Sequence, residues 1–393
     1  MTLVWTVLTL GCFTLIFWHH PGYLIFLKLL INVKKDKSQV DLSLSTPKPL
    51  KVTVIIPTYN EEKHILRKIK NTLAVDYPGE LKEIIIIDSA SKDGTVREIE
   101  KILKRVGGFK FIQQSERRGK ASALNLAIAQ AQGDVILTTD ANCLLNKESL
   151  GKIVPHFSDP QVGGVCGKFE IAKTGKEFEG GSNIYWQIEE SMRRSESCLD
   201  STIHMSGEIA TFRRGLALYD EENLAEDFEL AVAIRKKGYR IIYEPEAVAS
   251  EEIPEGTKGL TTQKKRSAIG TIQTIRRHRQ VLFNPRYGWY GLLILPSHKL
   301  LQILLPWIFL LGAISLQFFL WQFRNLGTVR RFFVFEIVGT LILIFLNLLL
   351  PKLEIKPIKI VEFWLLAQWI IALAWVDYFR NNFRVNWVKT NRV

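Results

Sequence analysis

Between residues 51 and 142 the chain repeats one hydrophobic pattern four times. Each time a short, β-branched apolar run breaks into polar or ionisable residues, and stretches with apolar positions three and four apart lie between the runs. Residues 52–56 break into Pro57-Thr58-Tyr59-Asn60-Glu61-Glu62 and lead into a helix predicted to run to about Ala74. Residues 84–87 break into Asp88-Ser89-Ala90-Ser91-Lys92-Asp93-Gly94-Thr95, and residues 109–113 lead to Glu116-Arg117-Arg118-Gly119-Lys120. The fourth unit has helical spacing over 120–130, the turn Gly133-Asp134, and an apolar run from Val135 that ends without a linker in Asp140-Ala141-Asn142. Strands alternating with helices in this way predict an α/β domain with a mostly parallel sheet. Its ligands should bind outside the carboxyl ends of the strands.

Beyond Asn142 the alternation loosens. Residues 162–171 read as a strand, 183–199 as a helix, 224–230 as the start of a helix that stops at Gly238, and 240–243 as a returning strand. Residues 261–283 interleave Lys264, Lys265, Arg266, Arg276, Arg277 and Arg279 with Ile269, Ile272, Ile275, Val281 and Leu282, the pattern of an amphipathic helix on an anionic membrane face.

The ends of the chain follow another rule. Residues 2–18 are uncharged and apolar, and with 23–31 they predict one membrane helix kinked at Pro21. Lys34, Lys35 and Lys37 follow it, which puts the next region in the cytoplasm. Apolar stretches at about 300–323, 332–350 and 361–379 are each sufficient to span a bilayer. The expected organisation is a transmembrane or interfacial helix at 1–31 and a linker at 32–50. A cytosolic domain at 51–256, an amphipathic interfacial segment at 257–299, transmembrane helices at 300–380 and a basic tail at 381–393 complete it. This describes a multi-pass protein of the cell membrane. Four spans leave Arg324, Arg330, Arg331 and the tail outside, against the positive-inside trend. A second short crossing within 287–323 would reverse that, but Pro296-Ser297-His298-Lys299 fits an interfacial approach better.

Composition sharpens this picture. Of 393 residues 47% are apolar, including 22 Phe and 10 Trp, so the chain holds an ordinary domain plus a hydrophobic surplus. The net charge of +13 flanks apolar segments and has no aromatic-basic motif beside it, which favours a membrane surface over nucleic acid. Cys12, Cys143, Cys166 and Cys198 form no C-x-x-C pair and read as reduced packing residues. His19 and His20 read as a polar break at the interface, since no further ligand is spaced near them.

Asp140 and Asn142 are two oxygen-bearing side chains that can reach a hard cation, which can in turn neutralise a diphosphate. Taken alone, a polar turn closing a strand is the readier explanation, just as helix capping is for Glu226 and Asp227. The order and spacing of the motifs change this. Together they resemble the family 2 glycosyltransferases of the membrane-bound processive type, which includes cellulose, chitin, hyaluronan and poly-N-acetylglucosamine synthases. The resemblance covers about residues 51–283 and implies a GT-A-type nucleotide-sugar-binding domain. By similarity, Pro57, Thr58, Tyr59, Glu61 and Asp88 belong to the donor site, with Tyr59, Glu61 and Asp88 around uracil and ribose. Lys120 would reach the nucleotide, Asp140-Ala141-Asn142 stands where the family has Asp-x-Asp, and Glu226-Asp227 stands at its acceptor-side acid pair. Gly207 to Arg214 resembles the acceptor segment, and Gln263 with Arg266 matches part of a Gln-x-x-Arg-Trp motif.

Two departures stand out. Asn142 replaces an Asp, and Ser267 replaces the tryptophan that lies against the acceptor sugar in the processive synthases. The implied activity is inverting transfer from a nucleotide-diphosphate sugar, a UDP-sugar by resemblance, to a glycan acceptor. Transfer of one sugar to a membrane lipid is the alternative. A subunit that binds nucleotide without turnover is a third reading, against which Asp88, Asp140, Glu226 and Asp227 all speak. Asp227, at a helix N-terminus, is expected to stay ionised and act as base. Asp140 and Asn142 are expected to hold Mg²⁺ or Mn²⁺, with Lys120 and Arg266 as phosphate partners. Asn142, as a neutral amide, predicts a weaker metal site.

Overall fold

The computed structural model of the chain describes residues 2–34, 49–171, 180–251, 257–322 and 356–383. Helix α1 (Thr2–Phe17) passes through a π-helical turn at Trp18–Gly22 into α2 (Tyr23–Lys34). The turn surrounds Pro21, which has no N–H to donate, so the helical ladder opens there as the sequence predicts.

The sheet follows. Strands β1 (Val52–Thr58), β2 (Lys82–Asp88), β3 (Lys110–Gln113) and β4 (Val135–Thr138) alternate with α3 (Ile65–Leu73), α4 (Thr95–Arg105) and α5 (Lys120–Gln130). They pair in parallel in the order β3-β2-β1-β4. Both faces of the central strands are buried, which is why they read as unbroken Ile and Val runs. Val54, Ile56, Ile84 and Ile86 face one core, and Ile55, Ile85 and Ile87 face the other, as the two-residue period requires. The edge strand β3 keeps Lys110 and Gln113 exposed.

The second half departs from the expected parallel pattern. After β5 (Cys143–Leu145), α6 (Ser149–Ile153), β6 (Val162–Ile171), α7 (Gly180–Leu199), β7 (Ala210–Arg213), α8 (Glu226–Lys236) and β8 (Arg240–Glu251), the eight-stranded order is β3-β2-β1-β4-β7-β6-β8-β5. β7 runs antiparallel to both β4 and β6, and β5 runs antiparallel to β8, so the sheet is mixed. β5 and β7 are three and four residues long, too short to show a period in sequence.

Helix α9 (Thr257–Arg277) crosses the amino end of α8, and the π-helical stretch Tyr290–Leu300 continues without a break into α10 (Leu301–Gln322). Residues 290–322 therefore form one unbroken helix. Among the described residues, Leu3–Asn32 and Tyr290–Gln322 are long and apolar enough to cross a membrane. They pack together, with Trp5 stacked on Phe318 at 4.4 Å and Thr9 Oγ1 donating to Ser315 Oγ at 3.1 Å. Helix α11 (Lys356–Phe379) holds a shorter apolar stretch, Trp364–Phe379. The span expected at 332–350 lies outside the described residues, as do residues 35–48 of the linker and 384–393 of the tail.

The Pro296-Ser297-His298 segment, expected at the interface, is buried in protein. Its polar groups find partners there: His298 Nδ1 meets Glu196 Oε1 at 2.7 Å, its Nε2 meets Glu189 Oε2 at 3.1 Å, and Ser297 Oγ accepts from Trp18 Nε1 at 2.9 Å. Tyr23 donates to the same Glu196 oxygen at 2.9 Å. One buried network thus joins α2, α7 and the amino end of the α10 helix.

Candidate active site

The register brings three strand ends to one edge. Thr58 of β1 sits beside Asp88 of β2, and Ile55 pairs with Thr138 of β4, so the residues after each strand emerge side by side. Asn60 and Ala90, which follow β1 and β2, adopt left-handed backbone at φ 54° and 57°, folding both loops back over the edge. The loops are cross-braced: Ser91 Oγ accepts from Asn60 N at 2.8 Å, and Asn60 Oδ1 accepts from Lys92 N at 2.8 Å. Asp88 is fully buried and accepts from Ser91 N at 2.8 Å and Thr58 Oγ1 at 3.1 Å. Arg117 lies 3.8 Å from the centre of the Tyr59 ring, and Glu61, two residues on, is buried. The five donor-side residues expected at the first two strands therefore share one wall.

Gly119, at φ 96°, turns the chain into α5 and makes Lys120 its first residue. A cation at a helix N-terminus opposes the dipole and needs other support. Asp140 Oδ1 provides it at 2.6 Å and Glu226 Oε1 at 3.7 Å. Burial works against the charge on Lys120, but Asp140, Glu226 and Glu208 outweigh it and hold the pKa above its usual value. A Cβ on Gly207 would stand 3.2 Å from Lys120 Nζ, so Gly207, expected on the acceptor side, lies directly against this lysine.

Helix α9 can reach the site because Gly270 has no side chain; a Cβ there would meet Ala225 N at 2.2 Å. One turn earlier, Arg266 Nη2 comes within 3.9 Å of Glu226 Oε2. Gln263, expected on the acceptor side, is exposed, and among the described residues no hydrogen bond or ion pair ties it to this cluster.

Asp227 differs from its expected state. Burial raises its pKa first, Glu226 and Glu208 add to this, and Lys120 with the Phe228 N–H only partly compensates, so it is pushed up to about 7. Asp227 therefore ionises less readily than its place at a helix N-terminus alone predicts.

The Asp140 loop is held from below. Lys68 on α3 is fully buried and donates to Thr139 Oγ1 and to the Cys143 carbonyl, both at 2.7 Å. Burial lowers its pKa to about 8 against the pull of Cys143 and Asp140. Asn142 Nδ2 donates to Glu251 Oε1 at 2.6 Å, which leaves its carbonyl oxygen with only a 3.8 Å thiol contact from Cys143.

The donor set fits a hard divalent cation. Asp140, Glu208, Glu226 and Asp227 outnumber the cations Lys120 and Arg266 that act on them. Among the described residues no three His, Cys, Asp or Glu side chains converge on one point, so a cation here would take few protein ligands, Asp140 and the Asn142 carbonyl being the expected ones. A cation held by one or two protein oxygens completes its shell with water and substrate phosphate.

Sequence reasoning missed Glu208, Lys68 and Glu251. Glu208 lies inside the segment that was singled out, so its carboxyl could have been weighed. Lys68 looks like a surface lysine on an amphipathic helix, and Glu251 ends a strand whose length the sequence does not display.

This edge, with its braced loops and its lysine among carboxylates, has the character of a nucleotide-sugar site. Residues 53–218 match the family model "Glycosyl transferase family 2", and this part of the chain is a domain of that family with a GT-A-like α/β fold. The chain is 30% identical over 266 residues to a poly-β-1,6-N-acetyl-D-glucosamine synthase of Staphylococcus aureus, covering 66% of this chain and 63% of that protein. It is 27% identical over 237 residues to an N-acetylglucosaminyltransferase of Rhizobium meliloti, covering 56% of each. The chain thus spans under two thirds of the length of these relatives. A solved mannosyltransferase from Pyrobaculum calidifontis, PcManGT, in complex with GDP-Man and Mn²⁺, matches along 96% of this chain and 100% of its own, with 25% identity and a TM-score of 0.68.

Proposed function

We propose that the chain transfers a sugar from a nucleotide-diphosphate donor to a hydroxyl of a membrane-borne glycan or lipid acceptor, with inversion at the anomeric carbon. The observation that carries this reading is the Lys120 ammonium set between Asp140 Oδ1 at 2.6 Å and Glu226 Oε1 at 3.7 Å at the strand edge, with Asp227, whose pKa burial and neighbouring carboxylates push up, next to Glu226 in the chain. A base with a pKa near the working pH takes a hydroxyl proton most effectively. In this reading Asp227 removes the acceptor proton as the oxygen attacks the anomeric carbon, and the bond to the diphosphate breaks on the opposite face. Lys120 and Arg266 receive the charge that builds on the leaving diphosphate. Glu226 and Glu208 keep Asp227 basic enough to act.

Asp140 and the Asn142 carbonyl would hold Mg²⁺ or Mn²⁺, whose chemistry is to neutralise the diphosphate as a Lewis acid. Pro57, Thr58, Tyr59, Glu61 and Asp88 form the donor wall. The mannosyltransferase bound to GDP-Man matches end to end, whereas the N-acetylglucosamine relatives match over part of their length. Both GDP- and UDP-sugars therefore belong in the test. Purified protein is incubated with a panel of them, with and without lipid extract, and released nucleotide is measured. Release from none of them, by protein that remains folded, overturns the reading.

Single transfer to a membrane lipid is the second reading. It is favoured by Ser267, which offers no ring against which a growing glycan could rest. Radiolabelled product separates the two: a polymer stays at the chromatographic origin, and a monoglycosyl lipid migrates.

A further inference from the structure

Away from the strand edge, the end of α9 and the end of α11 form an open cavity of about 700 Å³ lined by Arg276, Arg277, Arg279, Tyr378, Phe379 and Phe383, among others. Its shape follows from the way α11 stops. Asn381 takes left-handed backbone at φ 53°, Asn381 N and Asn382 N cap the carbonyls of Tyr378 and Asp377, and Phe383 returns to stack on Tyr378 at 6.2 Å with its plane 5° away. The result is an aromatic floor at the end of an apolar helix.

Three guanidinium groups stand over this floor, and their charges are unequally matched. Arg277 pairs with Asp220. Arg276 Nη1 donates to the Tyr378 hydroxyl at 3.2 Å, and the guanidinium lies 5.9 Å from the centre of that ring. Arg279 is exposed, and among the described residues no carboxylate lies within ion-pair distance of it or of Arg276. Two cations are thus left over at one cavity mouth.

Its position identifies the class of anion. The outward side of α11 is apolar, with Leu365, Leu366 and Trp369 exposed, and it ends at Phe379, which is 72% exposed at the cavity edge. The cationic groups begin where that apolar surface stops. An aromatic and arginine boundary of this kind matches the headgroup level of a bilayer, where anionic lipid concentrates. Arginine's fork suits a phosphate, and the apolar rim suits acyl chains, which a soluble phosphate lacks.

We propose that this cavity binds the phosphate of an anionic glycerophospholipid, with Arg276 and Arg279 as its two ligands and Phe379 against the acyl chains. The proposal goes beyond sugar transfer and rests only on the reading of the long apolar helices as bilayer-embedded.

The test uses the full chain in neutral detergent. Binding of short-chain phosphatidylglycerol, phosphatidylcholine of equal chain length and inorganic phosphate is measured by microscale thermophoresis. Phosphatidylglycerol is expected to bind saturably, at least about tenfold tighter than either of the others, and to weaken about tenfold in R276Q/R279Q. K104Q/R105Q removes the same charge from exposed positions on α4 and is expected to bind like the parent. Unchanged binding in R276Q/R279Q, or equal loss in K104Q/R105Q, overturns the site. Inorganic phosphate competing at equal concentration overturns the lipid assignment. Should the double variant fail to fold, the single variants carry the test, each expected to weaken binding by about threefold.

Discussion

Asp227→Asn keeps the side chain's size and removes its charge, so it separates catalysis from packing. The folded pKa, about 7, lies above the ordinary carboxylate value of 3.8 because burial, Glu226 and Glu208 all oppose ionisation. A carboxylate raised in this way gives most stability below its unfolded pKa, and that stability is lost as pH rises towards the folded value. Each pH unit in that window is worth about 1.4 kcal/mol, so from pH ~5.5 to ~8 the parent loses up to about 2 kcal/mol relative to the Asn variant. Neighbouring carboxylates share the proton, so the working figure is about 1 kcal/mol. For a domain of this size that is about 2–4 °C in thermal midpoint. Scanning fluorimetry at both pH values should show the variant's midpoint gaining on the parent's by this amount. In parallel, nucleotide release should fall by roughly 10²–10⁴-fold in the variant while calorimetric donor binding is kept. The parent's rate should rise with pH up to about 7 and then level. Midpoints that stay parallel across pH, or near-normal transfer by Asp227→Asn, refute the assignment.

Four further outcomes are expected. Lys120→Met, which strips Asp140 of its 2.6 Å partner, should lower kcat by roughly 10²–10³-fold, read in the same release assay. Asn142→Asp should lower the Mn²⁺ concentration needed for half-maximal activity; an unchanged metal titration removes Asn142 from the metal site. Lys68→Met leaves the Thr139 hydroxyl and Cys143 carbonyl without their 2.7 Å donor and should destabilise the fold by about 2–3 kcal/mol, seen as a lower thermal midpoint. His298→Leu leaves Glu189 and Glu196 facing each other without their shared partner and should cost about 3–5 kcal/mol, part of which Glu189→Gln restores.

The first four strands and the polar residues that end them were legible because a strand buried on both faces must be apolar along its length. A ligand edge then shows as an abrupt change of chemistry. The same local rules gave the helix broken at Pro21 and the basic helix α9. What depends on contacts between distant residues was not legible. The antiparallel placement of β7 and β5 depends on pairing partners far along the chain, Thr138 with Ala210 and Cys143 with Glu251 among them, and strands of three or four residues carry no period. Asp227's raised pKa comes first from burial, then from its neighbour Glu226 and from Glu208; of these only Glu226 is visible beside it in the sequence.

His298 reads as an interfacial residue until Glu189 and Glu196 are brought around it. The sequence by itself determined the first four strands and the polar residues that end them, because strands buried on both faces must be apolar along their length. Only the tertiary structure decided their charge states, because a pKa is set by desolvation and by the charges folded within a few ångströms, whatever their distance along the chain.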